Sequence, residues 1–145
     1  MRLRPTTAPI SVGMLLLITG AVAMTTRLAS AAPPPMTLTG AQEVPAVDTA
    51  ASATSSIVIG KDMSVTGAVE TVGIDGTMAH IHQGAVGMNG PVVVTLEKTA
   101  ANRWSVPANT RLTDAQYQTY KDGGFYVNVH SAAHKGGEIR LQLVP

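Results

Sequence analysis

His80 and His82 sit one residue apart in the stretch AHIHQG, and His130 and His134 fall in VHSAAHKGGE. These are all four histidines of a 145-residue chain. Neutral imidazoles suit copper and zinc. Residues two apart on a strand share a face, so His80 and His82 can converge on one ion. A third imidazole from another strand, His130, would complete a three-nitrogen set with an open position. His134, Met78 and Glu138 are the candidates for an additional ligand or an outer contact. Met78 shares the His80 and His82 face and would offer a thioether. Glu138 could orient a ligating imidazole, although a surface pairing with Arg140 or a lysine is the simpler expectation. Glu43, Met63 and Met88 are weaker candidates. The competing reading is that the imidazoles hydrogen-bond carbonyls of the Gly-rich loop QGAVGMNG and serve only the fold.

Other chemistries find less support. There is no cysteine, which removes thiolate ligands, thiol nucleophiles and disulfides together. GAVGMNG lacks the Lys-Ser/Thr and the following helix of a phosphate loop. No nucleophile with a general acid or base stands out, so the expected role is binding and not catalysis. Copper is the preferred ion and zinc the less favoured one.

These side chains need strands to position them. The chain is rich in Val, Thr, Gly and Ala, in short runs broken by Gly, Asn, Asp and Pro, which is an all-β rhythm. Seven strands are expected near 36–40, 51–59, 64–72, 77–83, 91–97, 125–131 and 137–144, with RWSVPA as a short edge piece. LTDAQYQTYKDGG breaks the pattern: Thr113 and Gln116 have capping-box spacing, and DGG stops the run, so a helix is expected over 113–121. The expected architecture is an antiparallel Greek-key β-sandwich, immunoglobulin-like or superoxide-dismutase-like, with one short helix. Alternation puts Phe125, Val127 and Val129 on one face and Tyr126, Asn128 and His130 on the other. Ile139, Leu141 and Leu143 oppose Glu138, Arg140 and Gln142. His82 and His130 both lie near the C-terminal ends of their strands. A shared site is therefore expected to require that those strands run the same way, because antiparallel neighbours would separate them.

The N-terminal stretch reads differently. Arg2 and Arg4 precede an apolar run from Ile10 to Met24, and Ala29-Ser30-Ala31 follows. That is the pattern of a signal peptide over residues 1–31, with an uncleaved anchor as the alternative. The run is short for a membrane span. Residues 32–36 form a Pro-rich lead-in, and 37–145 the folded domain. Without Arg2, Arg4 and Arg27, seven basic residues face nine acidic ones. No cationic surface for nucleic acid is expected, nor membrane contact after cleavage. The mature chain is expected to be secreted or periplasmic, with a metal ion and an extracytoplasmic protein as candidate partners.

Three blocks carry a family resemblance. LTGAQEVPAV, AHIHQGAVGMNGPVVVTL and YVNVHSAAHKGGEIRLQL, in that order, resemble the CHRD (chordin-type) domain family. The resemblance spans roughly residues 37–143. It implies an extracellular or envelope β-sandwich domain, and it places the family's motif histidines on His80, His82 and His130. His134 lies in a more variable position. Leu141 stands where the family commonly has Gly, which puts it beside the core or a partner surface. The HxH strand is also similar to that of copper, zinc superoxide dismutases, but neither a second histidine-and-aspartate set nor that family's disulfide is present.

Overall fold

The structure is a computed structural model that describes residues 36–145. The expected signal peptide and nearly all of the lead-in lie outside the described residues. Eleven strands and one α-helix are formed: β1 Met36–Thr39, β2 Ser52–Ser55, β3 Val58–Ile59, β4 Val65–Thr66, β5 Ala68–Val72, β6 Gly76–Gln83, β7 Val92–Thr95, β8 Glu97–Ala100, β9 Arg103–Ser105, α1 Asp114–Lys121, β10 Phe125–Ser131 and β11 Ile139–Leu143. A 3-10 turn spans Gly40–Gln42. No helix among the described residues is long and apolar enough to cross a membrane.

Several expected strands divide. The second and third break opposite each other, at Ser56 and Gly67. Ser56 donates both its backbone N–H and its hydroxyl to the Ala68 carbonyl. Gly67 takes φ +107°, and a Cβ there would strike the Ser56 carbonyl. Only glycine adopts that kink without strain. Beyond it β3 and β4 pair with each other as a separate ribbon. The fifth strand ends at Thr95. RWSVPA contributes β9, which lies between β5 and β8 and is not an edge. The helix forms as its capping box predicts. The Thr113 hydroxyl accepts from the Gln116 N–H at 3.2 Å, and the Gln116 side-chain oxygen accepts from the Thr113 N–H at 2.8 Å.

All pairings of the main sheet are antiparallel, in the order β7-β6-β10-β11-β1-β2-β5-β9-β8. Hydrogen bonding does not divide it into the two facing sheets of a sandwich. Its two ends, β7 and β8, are separated in sequence by Leu96 alone. β7 lies beside β6 at one end of the order, and β8 lies beside β9 at the other. The chain turns the corner at Leu96, and the sheet nearly closes into a barrel-like form. The Leu96 N–H donates to the Ala79 carbonyl at 2.9 Å. Phe125, Val127, Val129, Ile81, Ile139 and Leu143 fill the interior. Leu141 packs partly against this core.

Leu96 is 3% exposed and anchors the corner. Leu96→Ala is expected to lower stability by about 3 kcal/mol, through lost burial and a residual cavity. Urea unfolding would measure it.

Candidate metal centre

β6 and β10 are adjacent and antiparallel. In their ladder His80 faces Asn128, His82 faces Tyr126 and His130 faces Met78. The expectation that His82 and His130 need strands running the same way is therefore wrong. His80 stands between the other two along the ladder, and the rings bridge the gap by leaning together. Ring centroids lie 4.9 Å apart for His80–His130, 5.5 Å for His80–His82 and 6.1 Å for His82–His130. One nitrogen from each ring falls within 4.8 Å of the other two. The closest pair, His80 Nδ1 and His130 Nε2, is 3.0 Å apart. Two nitrogens bound to one tetrahedral ion at about 2.05 Å would be about 3.3 Å apart.

The tautomers follow from the backbone. His82 Nδ1 is 2.9 Å from the Gly90 carbonyl, and His130 Nδ1 is 2.9 Å from the Lys135 carbonyl. A carbonyl only accepts, so both Nδ1 atoms carry the proton and donate it. Each Nε2 is then an acceptor, and that of His130 accepts from His80 Nδ1–H at 3.0 Å. His82 Nε2 is buried and has no hydrogen-bond partner. A carbonyl fixing one ring nitrogen while the other is free is the arrangement that orients ligating histidines.

Charge is also suited to cations. Burial, then the neighbouring His130 and His82, lowers the His80 pKa from 6.5 to about 4. His82 is lowered too, chiefly by burial, with its Gly90 hydrogen bond opposing. Both rings are therefore neutral at pH 7, with lone pairs available.

The other candidates do not join the cluster. Met78 lies across the ladder from His130, on the right face, but is 46% exposed. His134 lies on the loop after β10, half-buried. It lines a cavity of about 340 Å³ with Glu43, Val44 and Asn89, and its carbonyl accepts from the Ser131 and Gly137 N–H groups. Glu138 neither orients an imidazole nor pairs with Arg140 or a lysine among the described residues. Its Oε1 accepts from the Thr49 hydroxyl at 2.8 Å.

Alternation predicted the polar face but not its burial. Tyr126, Asn128 and His130 are buried, as is every residue of β10. Tyr126 stacks on His82, with ring centroids 4.8 Å apart and planes 1° from parallel. The Arg140 guanidinium carbon lies 3.4 Å from the centroid of the Tyr126 ring. Arg140 is 1% exposed, where the sequence had suggested a surface cation. The one available signal was the absence of any charged residue along FYVNVHS.

The metal-free domain should lose stability in mild acid. Unfolded histidines bind protons near pH 6.5, whereas folded His80 resists protonation until about pH 4. Between those values the unfolded chain binds more protons, so stability falls as pH falls. Urea midpoints measured from pH 7 to pH 4 with a chelator present should decline. A His80→Gln variant should show a shallower decline.

A family model described as CHRD domain matches residues 35–143, three quarters of the chain and every strand of the main sheet. No protein of curated function and no solved structure matches the chain. The match takes in both strands that carry the histidines, the loops whose carbonyls hold them, and the β1 to β11 span that closes the sheet. The chain belongs to the CHRD domain family.

Proposed function

We propose that this CHRD domain captures a metal ion outside the cytoplasm, copper in preference to zinc, through His80, His82 and His130. The observation that carries this reading is the buried, partnerless Nε2 of His82 beside two imidazoles whose nitrogens lie within ligating reach. Buried polar atoms are rarely left unpaired, and a bound cation would satisfy this one. His80 is half-buried, so an ion could reach the cluster from solvent through that ring. The role is capture or storage, without a catalytic cycle. The signal-like N-terminus supports a secreted or periplasmic location.

One observation favours a second reading, an envelope interaction or structural module in which the histidines serve the fold. The Nδ1 bonds to Gly90 and Lys135 each tie down a loop, and that alone would be useful.

Calorimetric titration of the mature domain with copper(II), then zinc, separates the two. One-to-one binding, copper the tighter, is expected. It should disappear in a His80→Ala/His82→Ala double variant. Absence of binding to either ion, with the variant merely less stable, would leave the histidines as scaffold.

A further inference from the structure

Asn128 occupies the rung directly opposite His80 on β6 and opposite Arg140 on β11. It is 1% exposed, and its Oδ1 is buried without a hydrogen-bond partner. The face thus carries two buried acceptors that nothing satisfies, Asn128 Oδ1 and His82 Nε2. Each such group in a folded protein calls for an explanation, and a missing ion or water is a common one.

The orientation of the amide is determined from behind. Glu43 is buried beside it, and its Oε1 is likewise without a hydrogen-bond partner. A Cβ on Gly137 would lie 2.6 Å from Asn128 Nδ2 and would strike Glu43 Oε1 as well, so these groups meet over a bare glycine backbone at φ +128°. A carboxylate only accepts, so the amide nitrogen faces Glu43. The amide oxygen must then turn away, toward the histidines. Asn128 is near enough to act on the His82 ring, yet no hydrogen bond joins the two. Since His82 Nδ1 is held by Gly90, the nitrogen on that side is Nε2. Two acceptors turned toward one another without a hydrogen between them repel. A proton on Nε2 would relieve this, but it would create an imidazolium near the buried Arg140 charge. A metal ion between the two acceptors, or a water bound to one, gives both lone pairs a positive partner.

We propose that Asn128 Oδ1 is a fourth donor to the ion held by His80, His82 and His130, directly or through one bound water, and that Glu43 is the positioning residue that aims it. This assignment rests on the metal-binding reading above and narrows it. Three imidazoles and a carboxamide oxygen suit a divalent ion of borderline character, zinc or copper(II). Reduced copper prefers sulfur donors, and the only thioether on this face near the cluster, among the described residues, is the half-exposed Met78.

Cobalt(II) is the probe, because its visible spectrum reports the ligand set, with zinc competition giving affinity. Wild type, Asn128→Leu and Asn128→Asp are compared in the mature domain. Wild type should bind one cobalt(II). Asn128→Leu, which keeps the branched shape and removes the oxygen, should bind about ten- to hundred-fold more weakly, with a shifted spectrum. Asn128→Asp, which restores an oxygen, should bind at least as tightly as wild type, with a spectrum of its own. A wild-type spectrum and affinity in Asn128→Leu would overturn the assignment while leaving the three-histidine site standing. If Asn128→Leu does not fold, Asn128→Asp decides, and an unchanged spectrum or weakened binding there overturns it. Failure of wild type to take up cobalt(II) or zinc overturns both readings.

Discussion

A guanidinium removed almost wholly from water must find replacements for its hydration, since an unpaired buried charge costs several kcal/mol. Arg140 finds them in the loop between β6 and β7. Its Nη2 donates to the Ala85 and Met88 carbonyls at 3.3 and 3.0 Å, and its Nη1 to Asn89 Oδ1 at 3.3 Å. The Tyr126 ring covers its face. Asn89 in turn donates to the Val44 carbonyl at 2.7 Å, which draws in the segment that carries Glu43. One buried charge therefore gathers two loops over the polar side of β10 and β11.

That covering is what gives the histidines their character. The loop that answers Arg140 ends at Gly90, whose carbonyl takes the His82 proton and whose N–H donates to the Tyr126 hydroxyl at 3.2 Å. Hence the guanidinium and the imidazole both pack on the phenol ring beneath one loop. Burial then keeps His80 and His82 neutral. On an open strand face the same HxH spacing would leave solvated rings, free to rotate and protonated in mild acid. Here backbone carbonyls assign the ring nitrogens of His82 and His130, and such preorganisation would reduce the cost of binding an ion.

The sequence made local features legible and left the joining of them obscure. Thr113, Gln116 and the DGG stop were enough to find the helix. The run Phe125–Ser131 was visible as a strand from its composition, and period-2 alternation put His80, His82 and His130 on matching faces. Alternation says which face a residue takes but not which strand lies next to it, so the β6–β10 pairing was missed and the direction of the strands misjudged. The kink at Gly67 was hidden because a glycine among β-branched residues reads equally well as ordinary strand. The corner at Leu96 carried no turn residue at all. Arg140 read as a surface cation because its partners are two backbone carbonyls and the neutral side chains of Asn89 and Gln142, with no carboxylate among them. Asn128 was placed on the correct face, but its neighbours Glu43 and Gly137 are distant in sequence.

The pairing of β1 with β11 bears on how the molecule comes into being. The first strand lies between β2 and β11, so its ladder stays half-made until the last residues of the chain are delivered. A β6–β10 contact across some fifty residues adds a second long loop closure, and folds dominated by such pairings form slowly. During synthesis the growing chain would hold an incomplete sheet with nothing to seal it. Until β11 is made, one edge of β1 stays unpaired, and an open strand edge is a template for pairing with other chains.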